Sequence, residues 1–167
     1  MKLLYVLIFF ICNISCNTEN IEAKRFQSSI HDFSYQDTLK KIIKSNDEWR
    51  IVLNPLEYNV LREKGTEKAF AGKYWNYTKI GTYCCRGCNF PLFKSNTKFK
   101  SGTGWPSFYN KINYHVKEVE DNRLGIKRVE ILCNRCNGHL GHVFDDGPQP
   151  TGLRYCINSA ALKFLSE

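Results

Sequence analysis

The sequence predicts a mainly β, antiparallel domain with a short N-terminal helical segment and a zinc site made of four cysteines. Three observations point there. From Gly81 onward, short apolar runs alternate with Gly, Asn, Asp and Pro, the punctuation of strands and turns. Two Cys-x-x-Cys pairs, Cys85/Cys88 and Cys133/Cys136, lie within that pattern. Upstream, Asn54-Pro55-Leu56-Glu57 reads as a helix start: Asn as cap, Pro at the first helical position, Glu three residues past the cap. No βαβ alternation and no long internal repeat is visible.

Residues 1–16 read as a secretory leader. Lys2 is a minimal basic start, Leu3 to Ile11 are uninterruptedly apolar, and Asn13 and Ser15 form a polar, small-residue exit. A bilayer span needs about 20 apolar residues, so the run is short for one. Lipidation at Cys16 is the alternative, weakened by Asn13 three residues before it. Residues 17–46 are polar and weakly patterned, a linker, an arm or a targeting spacer; Glu19, Glu22, Asp32 and Asp37 argue against a transit peptide. The folded domain is assigned to 47–167. Its helix carries Leu56, Val60 and Leu61 as an apolar stripe and ends at Gly65. Strands are expected at 90–93, 114–119, 126–132, 142–144 and 153–157, with Asp121-Asn122 turning between the second and third.

The net charge is +8, and residues 51–100, with nine Lys/Arg against three acids, hold +6 of it. Such a segment suggests nucleic acid or an acidic membrane surface. A solvated basic face is the plainer reading, since no long like-charge run or Arg-Gly tail accompanies it.

Eight cysteines become six without the leader, and an even number in a secreted chain invites disulfides. The spacing favours metal. Two residues between cysteines let both sulfurs turn to one ion, and two such turns, 44 residues apart, complete the tetrahedron zinc prefers. Gly87 suits a tight turn. Four thiolates leave no open position, so the zinc is structural. Cys84 and Cys156 remain.

Around Cys156 the chain reads Thr151-Gly152-Leu153-Arg154-Tyr155-Cys156-Ile157-Asn158. On a strand, Arg154, Cys156 and Asn158 share a face. A guanidinium there favours the thiolate, whereas a buried inert Cys is the structural alternative. His139 and His142 stand among glycines just after the second pair, free for chemistry because four cysteines complete the metal shell. Gly102-Thr103-Gly104-Trp105-Pro106-Ser107-Phe108 is an aromatic loop of the kind that walls a small pocket; Trp105 and Phe108 can also be plain core.

With these residues assembled, the chain closely resembles the B-type methionine sulfoxide reductases, which act on the R epimer. The resemblance runs from about Trp49 to Phe164 through "LREKGTE", "GTGWPSF" and "CNRCNGHLGHVFDDGPQPTGLRYCINS". It implies two antiparallel sheets, with zinc on Cys85, Cys88, Cys133 and Cys136 away from the active site. It also implies Cys156 as nucleophile, with Arg154 near it and His142 and Asn158 as further catalytic groups. Trp105, Phe108 and His139 would contact substrate. The resolving cysteine that many members carry in a GCGWPSF loop is Thr103 here, so the usual internal disulfide is not expected. Regeneration would then come from thioredoxin or a small thiol, in a monomer serving protein repair under oxidative stress; the leader implies entry into the secretory route, ending in the endoplasmic reticulum, outside the cell or in a plastid-like organelle. No nucleic-acid partner and no membrane span in the mature chain are expected. A zinc-ribbon nucleic-acid module and a disulfide-stapled structural protein are the rival readings. The first leaves Trp105 and the Arg-Tyr-Cys segment unexplained, and the second requires no metal.

Overall fold

The computed structural model describes residues 39–167; the leader at 1–16 and most of the spacer at 17–46 lie outside the described residues. Two helices open the described part by one device. Before α1 (Asn46–Val52), Ser45 Oγ accepts the Glu48 N–H at 3.3 Å while Glu48 accepts the Ser45 N–H at 2.7 Å. Before α2 (Pro55–Glu63), Asn54 and Glu57 exchange the same pair at 2.9 and 3.1 Å. Each box satisfies amides that a helix start leaves orphaned. Only the second box is among the sequence expectations; the first is an addition. The expected stripe needs correction: Leu56 is half exposed, and Tyr58 joins Val60 and Leu61 on the buried face. The helix closes on Lys64 in the left-handed conformation (φ 58°), one residue before Gly65.

Nine strands follow, all antiparallel, in two sheets. The smaller has the order β2-β1-β9, from β1 (Gly81–Cys85), β2 (Pro91–Lys94) and β9 (Leu162–Ser166). The larger has the order β3-β4-β8-β7-β6-β5. It contains β3 (Lys98–Phe99), β4 (Ser107–Phe108), β5 (Val116–Asp121), β6 (Arg128–Cys133), β7 (His139–Phe144) and β8 (Arg154–Ile157). The five expected strands correspond to β2, β5, β6, β7 and β8, whereas β1, β3, β4 and β9 are additional. No helix among the described residues is long and apolar enough to cross a membrane.

Aromatic side chains join the sheets. Phe93 of β2 stacks on Phe108 of β4, ring centroids 4.5 Å apart, and Tyr83 of β1 meets Phe108 edge-on at 5.0 Å. Phe93 also touches Tyr155 of β8, and Tyr83 touches Phe164 of β9. Edge and offset contacts add about 0.5–1.5 kcal/mol per pair to the burial of the rings.

The second tie is the cysteines. Cys85 ends β1 and Cys133 ends β6, one in each sheet. Both knuckles fold alike: the Cys85 N–H donates to Phe90 C=O at 2.8 Å, and the Cys133 N–H to Gly138 C=O at 2.9 Å. Asn89 and Asn137, each just past its second cysteine, take the left-handed conformation at φ 58° and 55°. The special backbone therefore falls on the asparagines and not on Gly87. Gly87 is small for another reason: a Cβ there would come within 3.3 Å of the buried Trp49 ring.

The four sulfurs lie within 4.8 Å of one another, with Cys85–Cys136 at 3.6 Å and Cys88–Cys133 at 3.5 Å. A disulfide requires about 2.05 Å, and all six described cysteines are free. A tetrahedron with metal–sulfur bonds of about 2.3 Å has edges of about 3.8 Å, so the cluster fits one tetrahedral ion. The helical part and the segment before it cover the second knuckle. Arg62 Nη1 donates to Cys136 C=O at 3.0 Å, and the Ile42 N–H to Arg135 C=O at 2.9 Å. The end of the expected spacer thus packs on the domain. Cys136→Ser is expected to lose the metal, by elemental analysis, and to lower Tm by more than about 10 °C. A metal-free variant as stable as the parent would show that the cluster does not hold the sheets.

Candidate active site

Strand β8 lies inside the larger sheet, between β4 and β7, and carries Cys156. Its register sets Cys156 opposite His142 on one side and opposite Ser107 on the other. A cavity of about 200 Å³ opens at the thiol, lined among others by Thr66, Trp105, Arg128, His142, Cys156 and Asn158. Residues from both ends of the domain thus meet in one hollow. No residue of the four-sulfur cluster lines it.

Burial pushes the Cys156 thiol up. Three groups oppose that. The Thr103 hydroxyl lies 3.9 Å from Sγ, Arg154 supplies a positive charge and a hydrogen bond, and Ser107 adds a second hydroxyl. Ser101 ties the hydroxyls together, 2.9 Å from Thr103 and 2.7 Å from the fully buried Ser107. Arg154 is held by Asp146 through two bonds of 2.8 and 2.9 Å, and lies over the Phe144 ring at 4.4 Å.

His139 and His142 are each backed by a carboxylate. His142 Nε2 lies 2.8 Å from Asp121 Oδ2. Asp121 also accepts from Arg123 and Arg128, and Arg123 first, then His142, hold it well below the usual carboxylate range. An ionised carboxylate can only accept, so His142 Nε2 carries a proton and Nδ1 is the ring nitrogen not bonded to Asp121. His139 Nδ1 lies 2.7 Å from Glu130 Oε1, while Lys64 holds the other oxygen at 2.7 Å. Burial would raise Glu130, but Lys64 and His139 keep it low; burial likewise lowers His139, leaving that imidazole neutral.

Several expected residues come together: Cys156, His142, Asn158 and Trp105 line the cavity, and Arg154 lies beside the thiol. Two do not line it. His139 is buried behind His142, ring centroids 5.5 Å apart. Phe108, expected at the substrate, lies in the aromatic core. Side chains alternate along a strand, so when Ser107 turns to Cys156 its neighbour Phe108 turns to Phe93. Asn158 does not continue the strand face either. β8 ends at Ile157, and the Asn158 amide is engaged at both ends, accepting the Glu67 N–H at 3.0 Å and donating to Leu140 C=O at 3.0 Å. Those two bonds fix the turn after Cys156 while Asn158 still lines the cavity.

Glu67, the last residue of the LREKGTE motif and given no role by the sequence, positions the site. It is buried, its carboxylate accepts the Ser159 and Ala160 N–H groups at 2.5 and 2.9 Å, and its carbonyl accepts Trp105 Nε1–H at 3.2 Å. Asp121, expected only as part of a turn, and Glu130 are likewise absent from the expected site. The available signal is an acid on each of two strands leading to a histidine-bearing one, which needs the pairing to be known first.

A lone thiol at a cavity mouth, with cationic and hydroxyl company and a carboxylate-backed imidazole, on a sheet tied by a separate tetrathiolate, defines a thiol-dependent oxidoreductase. A family profile described as "SelR domain" matches residues 53–166. Peptide methionine sulfoxide reductase MsrB of Thiobacillus denitrificans is 57% identical over 122 residues, covering 72% of this chain and 92% of that protein. The protein of the same name from Bradyrhizobium diazoefficiens is 55% identical (79% and 96% covered), and that from Methanosarcina mazei 54% (76% and 91%). The chain belongs to the SelR family, that of the MsrB proteins.

Replacing Arg154 by Gln removes a charge that favours the thiolate, so the Cys156 titration should move further up. Alkylation by iodoacetamide, followed against pH, is expected to show it, with about tenfold less thiolate at fixed pH for each pH unit moved. Arg154→Lys should restore part of the shift. An unmoved profile in Arg154→Gln would remove the guanidinium from the account.

Proposed function

We propose that this chain reduces methionine-R-sulfoxide in oxidised proteins or as the free amino acid, with Cys156 as nucleophile and His142 as proton carrier. The observation that carries it is the cavity itself, in which one thiol, one imidazole and one indole are the reactive, acidic and apolar walls. A sulfoxide sulfur becomes electrophilic when its oxygen is protonated or strongly hydrogen-bonded. Set with its methyl group against Trp105, the substrate turns its oxygen to His142 and its sulfur to Cys156. The sulfur of Cys156 attacks, the S–O bond of the substrate breaks, and the oxygen passes to Cys156. Methionine leaves, and Cys156 becomes a sulfenic acid. The proton lost by the thiol ends on that oxygen, so the step balances without an outside acid. Inverting the sulfur exchanges methyl, lone pair and oxygen among the three walls, which is the basis of epimer choice.

Zinc is the metal we assign to Cys85, Cys88, Cys133 and Cys136, on the preference of that ion for four thiolates in a tetrahedron. It supplies structure, since all four positions are taken.

Regeneration follows from Thr103. A hydroxyl occupies the place next to Cys156 where a resolving thiol would stand, and Cys84 belongs to the other sheet, opposite Lys163. An external thiol, from thioredoxin or a small molecule, therefore attacks the sulfenic sulfur and releases water; a second thiol frees Cys156. We further assign residues 1–16 as a leader into the secretory route and the mature chain as a monomer in protein repair under oxidative stress, the first resting on the apolar run from Leu3 to Ile11.

Cys156→Ser is expected to abolish turnover of the R epimer while keeping metal content and Tm. Wild-type protein given one equivalent of substrate should yield a trapped sulfenic acid by mass spectrometry. Residual activity in the variant, or equal rates on resolved epimers, would sink the assignment. Separately, Thr103→Cys should form a disulfide to Cys156 after one turnover, because a contact of 3.9 Å between the present side chains lies within reach of a bridge. A Cys84–Cys156 disulfide in the unmodified protein would instead make Cys84 the resolving thiol.

A further inference from the structure

The reactive cavity accounts for one methionine side chain and leaves a second hollow beside it unexplained. That hollow, of about 150 Å³, is walled by Phe70, Trp75, Asn76, Lys100 and Trp105, with the backbone of Gly102 and Gly104 completing it. Trp105 lines both cavities.

The hollow is built rigidly. The Phe70 N–H donates to Gly104 C=O at 2.9 Å, and Gly104 lies at φ 89°, where a Cβ would come within 2.8 Å of that same nitrogen. Trp75 C=O accepts Lys98 Nζ at 3.1 Å, which fixes the opposite wall. Phe70 itself is held at φ 64°, a conformation costly for an aromatic residue. It nevertheless leaves 56% of its surface exposed, meeting the 38%-exposed Trp75 edge-on at 5.4 Å. Strained backbone that presents apolar surface to water is not explained by stability.

Charge identifies the occupant. From Lys68 to Lys117 the sequence contains no Asp or Glu, and Lys100 on the rim is exposed and makes no ion pair with an acid among the described residues. This is the basic middle segment that the reduction chemistry leaves unused. Resting on the reading that the neighbouring cavity takes methionine sulfoxide, we propose that the hollow is a subsite for the polypeptide flanking the oxidised methionine. It takes an apolar side chain of that polypeptide between Phe70 and Trp75, and Lys100 pairs with an adjacent acidic residue. The chain is thereby directed to sulfoxides in acidic, apolar stretches of proteins, ahead of the free amino acid.

The test compares three R-sulfoxides in steady state: the capped amino acid N-acetyl-methionine sulfoxide amide, a peptide with Phe and Asp flanking the sulfoxide, and the same peptide with Lys for Asp. Wild-type protein is expected to favour the acidic over the basic peptide by about two- to fivefold in kcat/KM, the worth of an exposed ion pair. It should favour the acidic peptide over the capped amino acid by roughly tenfold, the worth of one buried apolar side chain. Lys100→Glu should reverse the order of the two peptides, and Trp75→Ala should raise KM for both, each leaving the capped substrate unchanged. Equal effects on all three substrates, or no preference between the peptides in the wild type, would overturn the subsite. Failure of the wild type to reduce any of them would instead remove the sulfoxide reading beneath it.

Discussion

Four sulfurs within 4.8 Å of one another constrain this domain more than any other contact, because they come from the ends of strands in different sheets. The first knuckle belongs to β1 and the second to β6, so a single ion bound there would close a loop of 44 residues and set where the sheets meet. A buried tetrathiolate without a metal would crowd four polar groups against the core. The helices follow from it. Trp49 lies against Gly87 and Leu61 against Gly138, each at a place where a Cβ would press on the helix side chain.

From the covered knuckles a physical path leads to the thiol. α2 turns out through Lys64 in the left-handed conformation, and its side chain reaches Glu130. Three residues on, Glu67 uses its amide, carbonyl and carboxylate on three different parts of the site. A buried carboxylate that accepts the first amides of the turn at 159–161 replaces the water those amides would otherwise need. Trp105 and Asn158 are thus oriented by the same residue. The site is rigid because one buried residue is shared by its walls.

Electrostatics in the hollow follow one plan. The acids behind the histidines and the arginine are each partnered: Asp121 by Arg123, Arg128 and a His142 hydrogen bond, Glu130 by Lys64 and a hydrogen bond from neutral His139, Asp146 by Arg154. Apart from the Trp105 and Phe144 rings, the cavity presents Arg128, His142 and the Thr66 hydroxyl and no carboxylate, which suits a step that forms a thiolate and loads a proton on oxygen. Burial works against the thiolate, and the hydroxyls of Thr103 and Ser107, joined through Ser101, work for it. In this chain the residue standing where a resolving thiol is expected is part of that hydroxyl group.

The class of fold, the second helix, five strands and both knuckles are legible in the sequence because each rests on local chemistry. A capping box spans four residues, a knuckle also four, and strand alternation a handful. Cys156 and Trp105 stand out because reactive or bulky residues among turns have few structural uses. Strands β3 and β4 are not legible because they are only two residues long, and β1 and β9 because they pair with each other from far apart along the chain. Nor are Asp121, Glu130 and Glu67, whose acids look like ordinary surface charge until pairing places them behind a histidine or a turn. Phe108 shows the limit most plainly. Its loop and its neighbour Trp105 point to substrate, yet one residue of strand phase sends it to the core. Sequence by itself determined which reactive groups this protein owns and how each local turn is closed. Tertiary structure alone decided which of them share a cavity, because burial and hydrogen-bond partnership depend on chain segments that meet only after the sheets have formed.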